Sequence, residues 1–235
     1  VQTIYAAGST ITCTNLTYTG SANKNNHFRL DALYLTVNGA LSFSGNSAVN
    51  RLLVRTKTLG SSYTITLGAS ATFKTNSSNV DFRDITMTGG AANERDLSAI
   101  TGGSGDCGGN TGITFTTADD WFWNGSGTRN FSDYTYWYTA TNGGGSQMAS
   151  TRCPLPQDTC YINGDSIDGT TTIDQDMPRV CKTLDFTGCA AMNFHMDNIS
   201  QTFYGGLIFT ANVTPSYNLS YTITFESMDR SGTYS

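Results

Sequence analysis

Apolar and polar residues alternate with a period of two in short stretches throughout the chain. Leu33-Tyr34-Leu35-Thr36-Val37, Tyr63-Thr64-Ile65-Thr66-Leu67 and Tyr221-Thr222-Ile223-Thr224-Phe225 each present one apolar and one polar face. Such stretches predict half-buried strands. Threonine on the polar face suits a pleated surface. The stretches are separated by Gly and Asn, which suit corners needing a positive φ. No run approaches about 18 apolar residues, so no membrane span is expected.

The strands recur in a longer pattern. Asn15-Leu16-Thr17-Tyr18-Thr19-Gly20 returns as Asp84-Ile85-Thr86-Met87-Thr88-Gly89 and as Thr183-Leu184-Asp185-Phe186-Thr187-Gly188. Val37-Asn38-Gly39-Ala40-Leu41-Ser42-Phe43 matches Phe203-Tyr204-Gly205-Gly206-Leu207-Ile208-Phe209, and Ser62-Tyr63-Thr64-Ile65-Thr66-Leu67 matches Ser220-Tyr221-Thr222-Ile223-Thr224-Phe225. The matches fall in the same order in both copies. Within a copy, strands recur about every 16 to 25 residues, the length of one solenoid turn, and one such turn cannot bury its own apolar face. The pattern therefore predicts an all-β, right-handed parallel β-solenoid of about ten turns. Tandem β-sandwich domains are the alternative. The expected division is a first solenoid unit over 1–90, a Gly-rich loop and aromatic insertion over 91–160, and a second, incomplete unit over 161–235. The second copy reaches Ser235 before its counterpart of Val80-Asp81-Phe82-Arg83-Asp84, so end-to-end continuation is expected.

Composition supports the all-β reading. Thr, Ser, Asn and Gly make up 104 of 235 residues, charged residues only 13%, and Glu94 and Glu226 are the only glutamates. A helical bundle is excluded because strong helix formers are scarce. The net charge is −5 and no basic patch is present, so a nucleic-acid partner is not expected. Six cysteines occur without a CxxC or CxxH spacing, which argues against zinc and fits an oxidising compartment. Cys153 and Cys160 flank Pro154-Leu155-Pro156 and are the candidate disulfide. Cys181 and Cys189 are too far apart to pair if the strand between them is straight.

All three tryptophans lie between 121 and 137. Trp121-Phe122-Trp123-Asn124-Gly125-Ser126-Gly127-Thr128-Arg129-Asn130-Phe131-Ser132-Asp133 is followed by Tyr136-Trp137-Tyr138, by Pro154-Leu155-Pro156-Gln157-Asp158 and by Asp176-Met177-Pro178-Arg179. This resembles repeat segments of large, uncharacterised surface and virion proteins of environmental bacteriophages and of aquatic bacterial adhesins. They carry an aromatic-Trp-x-Gly-x-Gly-x-x-Asn-aromatic-Ser-Asp stretch before a Pro-Leu-Pro-Gln-Asp turn. The resemblance spans roughly residues 45 to 235. It implies a solenoid-like role on a virion or cell surface and brings no activity with it. Cys107, Cys153 and Cys160 depart from that pattern and suggest a stiffened fibre.

The residues offer little catalysis. His27 and His195 are the only bases suited to neutral pH, and neither lies in a nucleophile motif. Asp119, Asp120, Asp165, Asp168, Asp174 and Asp176 leave a polysaccharide-cleaving β-helix as a lesser rival. No enzyme activity, cofactor or metal is expected, although Asp165 and Asp168 in Asn163-Gly164-Asp165-Ser166-Ile167-Asp168-Gly169 have the short oxygen spacing of a calcium loop. An Asx-turn explains that loop equally. Trp121, Trp123, Tyr136 and Trp137 are candidates to stack on glycans, beside Tyr134 and Tyr138; core packing is the competing role. Sequons at Asn15, Asn76, Asn124, Asn130, Asn198, Asn212 and Asn218 are candidate glycosylation sites, at a frequency near chance in so Ser- and Thr-rich a chain. The expectation is an extracellular structural module that joins copies of itself end to end into a filament or fibre, with an adhesin or glycan-binding module as the alternative.

Overall fold

The computed structural model describes residues 2–228. They form two compact units, residues 2–117 with Met228, and residues 118–227. Each unit is a parallel β-solenoid, and together they comprise about nine turns.

In the first unit the strands are β1 (Gln2–Cys13), β2 (Leu16–Thr19), β3 (Asn26–Val37), β4 (Leu41–Ser44), β5 (Leu52–Thr56), β6 (Tyr63–Leu67), β7 (Val80–Arg83), β8 (Ile85–Gly89) and β9 (Ser104–Asp106). They stack in three parallel ladders. One ladder joins the first halves of β1 and β3 to β5, β7 and β9. The second joins the second halves of β1 and β3 to β6 and β8. The third joins β2 to β4 and is extended by the bridges Ala40–Thr72 and Ser44–Ser78.

Identical registers place like side chains above one another. Phe28 lies beside Val54, 26 residues later, and Val54 beside Phe82. Leu35, Ile65 and Met87 form a second inward column. These residues are buried, together with Leu41, Phe43 and Phe73. The rings of Phe28 and Phe43 are 4.9 Å apart, and Phe43 meets Phe73 edge-on at 6.2 Å. One residue, Asp84 at φ 58°, turns the corner between β7 and β8. Asp is one of the few residues other than Gly that visit the left-handed region.

A buried ion pair ties three turns together. Arg51, just before β5, is 1% exposed, and Asp81 on β7 is fully buried. Arg51 Nε donates to Asp81 Oδ1 at 2.8 Å, and its other nitrogens reach the carbonyls of Val80, Gly102 and Gly103 at 3.2, 2.6 and 2.9 Å. A buried guanidinium is tolerated only when its charge and its donors are matched in this way.

In the second unit the strands are β10 (Asp120–Trp123), β11 (Thr128–Asn130), β12 (Trp137–Tyr138), β13 (Thr159–Tyr161), β14 (Thr172–Asp174), β15 (Thr183–Asp185), β16 (Met192–Met196), β17 (Gln201–Phe203), β18 (Gly206–Ile208), β19 (Val213–Tyr217) and β20 (Ile223–Phe225). One parallel ladder runs β10–β13–β15–β18, a second β11–β14–β16–β19, and a third β17–β20. Strand β12 pairs antiparallel with β10. Such predominantly parallel stacking is not the hairpin pairing of a β-sandwich, so the solenoid reading holds and the sandwich alternative falls.

The units do not follow the expected division at 90 and 160. The Gly-rich loop runs into β9, which stacks on β7 as a further rung of the first unit. The aromatic segment supplies β10 and β11, the opening rung of the second unit, to which β13 and β14 are added after a long corner. It is therefore a solenoid turn with an enlarged loop rather than a separate insertion.

Candidate functional site

The aromatic segment is chiefly core. Trp121, Trp123 and Trp137 are buried, and Tyr136 is half-buried. Each indole N–H has an acceptor: Asp158 Oδ2 for Trp121 at 3.1 Å, the Gly125 carbonyl for Trp123 at 3.0 Å, and the Phe131 carbonyl for Trp137 at 2.8 Å. Trp137 meets Trp123 and Phe131 edge-on, both at 5.1 Å. Tyr136 lies against Trp123 and under the Arg129 guanidinium. Buried in this way, the three tryptophans offer no open ring face to a sugar. The alternation of the strand decides this: Trp121 and Trp123 point inward and Phe122 outward. Phe122 stacks on Tyr161 at 4.8 Å and 12°, both half-exposed, and Tyr138 lies opposite Phe122. Period two in Trp121-Phe122-Trp123 already carried that signal.

The Pro154–Asp158 turn is held by one buried carboxylate. Asp158 accepts the N–H groups of Asp119 and Leu155 at 3.0 and 2.8 Å, and Arg152 spans Asp158 and Asp119 at 2.8 Å each. Burial pushes the Asp158 carboxyl up, against the pull of Arg152 and the two N–H donors. The Asp158 carboxylate is taken up by donors from within the chain, and its role is structural.

Cys153 and Cys160 are both buried, and the expected bridge between them is not formed among the described residues. Cys160 instead has Cys181 as its hydrogen-bonding neighbour, and burial first, then Cys181, drives its thiol well above the ordinary value. Buried, protonated thiols act as small apolar side chains.

The remaining candidates are scattered. Asp168 Oδ1 accepts the N–H and hydroxyl of Thr170 at 2.9 and 2.6 Å, and Asp165 Oδ2 accepts Asn142 Nδ2 at 2.6 Å. The loop is thus an Asx-type turn, and among the described residues no group of three or more His, Cys, Asp or Glu is placed to hold a metal. His195 Nδ1 lies 2.9 Å from Asp174 Oδ1, and Ser216 is the next residue in that column. Ser216 Oγ, however, donates to Asp197 at 3.2 Å, so the three do not assemble as a nucleophile and base. His27 Nδ1 accepts from Arg55. Asn15, Asn130, Asn198, Asn212 and Asn218 are exposed, whereas Asn76 and Asn124 are half-buried. The amides of Asn76 and Asn212 donate to Thr72 and to the Cys189 carbonyl.

A feature of different kind lies at two ends of the ladders. In the last rung of the second unit, β18, β19 and β20 have a strand neighbour on one side only among the described residues. Their core columns run out into solvent. Phe186 is fully buried, but Phe209, stacked on it at 5.3 Å, is 39% exposed. Phe203 is fully buried, but Phe225, stacked on it at 5.5 Å, is 52% exposed. Ile223, paired with the buried Gln201, is 36% exposed. The first rung of the first unit shows the same condition. Strands β1 and β2 are paired on one side only among the described residues, and Ile11, Cys13, Leu16 and Tyr18 are half-buried. Their column neighbours Leu35, Val37, Leu41 and Phe43 are fully buried. Composition hinted at neither end, because exposure there depends on what stacks next.

Comparison with protein families, with curated proteins and with solved structures finds no match. The class that the geometry defines is a parallel β-solenoid whose outermost strands are paired on one side only among the described residues.

Proposed function

We propose that this chain is a non-enzymatic structural module that stacks end to end with copies of itself into an extracellular filament or a virion- or cell-surface fibre. The observation that carries the reading is the pair of core ladders that end uncovered. An unpaired sheet edge templates further pairing. Parallel edges with inward apolar columns accept another rung of the same kind, and the first rung of a second copy is such a rung. The contact is heterologous, with different patches on the two copies, and therefore propagates rather than closing as a dimer. Completing the burial of each half-exposed ring contributes roughly 1 kcal/mol, in addition to the strand hydrogen bonds. The scarcity of charge and the resemblance to surface proteins support the extracellular setting.

Negative-stain electron microscopy and sedimentation of the purified chain test this. Filaments with a regular axial repeat are expected, and a Phe209→Asp, Phe225→Asp variant is expected to stay folded but monomeric. A native chain that remains monomeric at its highest soluble concentration overturns the reading.

A further inference from the structure

The outward column of the ladder β10–β13–β15–β18 reads Phe122, Tyr161, Asp185, Ile208 in successive rungs. Its neighbouring outward column reads Asp120, Thr159, Thr183, Gly206. Phe122 and Tyr161 are stacked at 4.8 Å, the spacing of the rungs themselves. The stack then stops. The next position holds Asp185, a short side chain, and the one after it Ile208, an exposed aliphatic. Ile208 is flanked by Gly206, where an added Cβ would meet nothing closer than Thr183 at 3.5 Å. The ring column is thus interrupted at one rung, a notch in the stack with Tyr161 on one side, Ile208 on the other and the Asp185 carboxylate between.

We propose that this notch binds one pyranose unit of an uncharged glycan, its C–H face continuing the stack on Tyr161 and its hydroxyls donating to Asp185. A saturated ring fits the spacing as a third flat ring would. Apolar walls with a few convergent polar groups are the usual make-up of a small-ligand site. Asp185 is held in place because its Oδ1 accepts the Thr187 N–H at 2.7 Å, and a carboxylate has lone pairs to spare for hydroxyl donors. Asp120 and Asp185 both lie near enough to the phenol of Tyr161 to push its pKa up, after burial as the larger cause. Two carboxylates around one ring disfavour an anionic ligand, which is why the glycan is uncharged. The site moves the glycan-stacking role from the buried tryptophans to outward residues of β13, β15 and β18 in the ladder that β10 begins.

Saturation-transfer NMR on the full chain tests it, with the methyl glycosides of glucose, galactose and mannose as probes and glucuronic acid as the charged control. At least one neutral glycoside is expected to bind with a millimolar Kd, and glucuronic acid is not. Tyr161→Phe is expected to retain binding, Tyr161→Ala to weaken it by about tenfold or more, and Asp185→Asn by a smaller factor. Tyr217→Ala, at an exposed tyrosine of β19, is expected to change nothing. Circular dichroism confirms that each variant is folded. Absence of transfer from all three neutral glycosides overturns the proposal, as does unchanged binding by folded Tyr161→Ala. Neither result bears on whether filaments form.

Discussion

Two copies of one motif meet opposite fates in this molecule. Val37-Asn38-Gly39-Ala40-Leu41-Ser42-Phe43 lies in the second rung of the first unit, where Leu41 and Phe43 are fully buried. Its match, Phe203-Tyr204-Gly205-Gly206-Leu207-Ile208-Phe209, runs from β17 into β18 and the last described rung of the second unit, where Phe209 is 39% exposed. Ile65 and Leu67, buried, match the exposed Ile223 and Phe225 in sequence. The local code is shared: inward apolar residues alternating with outward ones, and a glycine at the corner. Burial is not part of that code. It is conferred by the rung that follows, as nearest-neighbour stacking in a solenoid requires. Under the proposed function, the last described rung carries the apolar residues that a neighbouring rung would cover.

The largest effect expected from breaking this contrast lies in the interior. Arg51→Met leaves Asp81 buried without its partner and releases the carbonyls of Gly102 and Gly103. It is expected to destabilise the chain by about 3–5 kcal/mol. Denaturant unfolding measures this. Adding Asp81→Leu to Arg51→Met is expected to recover much of the loss, because no charge is then left uncompensated. A loss that persists in the double variant refutes the charge argument.

Next in size is the matched pair of rings. Phe43→Ala is expected to cost about 3–5 kcal/mol, since it opens a cavity inside the Phe28–Phe43–Phe73 cluster. Phe209→Ala is expected to cost about 1 kcal/mol in the isolated chain, because water already reaches that ring. In assembled material the two costs are expected to converge. Thermal unfolding of monomer and filament fractions reads both values, and equal costs in the monomer contradict the difference in burial.

Much of this contrast is written in the residues. The matches of Leu16 with Leu184 and of Leu41 with Leu207 reappear as equivalent ladder pairs, since Leu16 lies beside Leu41 on β2/β4 and Leu184 beside Leu207 on β15/β18. The third match is a likeness of strands only. Tyr63–Leu67 pairs with β3 and β8, whereas Ile223–Phe225 pairs with β17. Residues 91–160 read as an insertion because a solenoid tolerates corners of very different length: Trp121 pairs with Cys160, 39 residues on, yet Cys160 with Leu184, only 24 on. Neither the uncapped rungs nor the Tyr161 notch was legible, because both depend on which residues become neighbours across rungs. The expected Cys153–Cys160 bridge rested on closeness in sequence alone.

The corner glycines should respond alike, whatever their rung. A Cβ at Gly39 would lie 2.8 Å from the Thr14 carbonyl oxygen, and one at Gly205 would lie 2.5 Å from that of Lys182. Those are backbone atoms and cannot swing aside. Gly39→Ala and Gly205→Ala are each expected to cost about 1–3 kcal/mol in denaturant unfolding. If only the interior variant is destabilising, the equivalence of the two corners fails.

The smallest effect compares two exposed turns, one in each unit. Asp96 Oδ1 accepts the N–H and hydroxyl of Ser98 at 3.1 and 2.6 Å, as Asp168 Oδ1 does from Thr170 at 2.9 and 2.6 Å. In both, the hydroxyl bond and then the N–H bond hold the carboxyl below its ordinary value of 3.8. A depressed folded-state pKa means that the turn's stabilisation is present above 3.8 and is lost as the pH falls through the lower, folded value. The Ser98 and Thr170 amide resonances are therefore expected to titrate with midpoints below 3.8, and Asp96→Asn and Asp168→Asn to abolish the respective titrations. Because neither group lies in a named strand, the change is expected to be local, and the core amides of Leu41 and Leu184 should remain protected from hydrogen exchange across the same range. Loss of that protection in step with the turns would mean that the corners, and not the stacked columns, hold the rungs together.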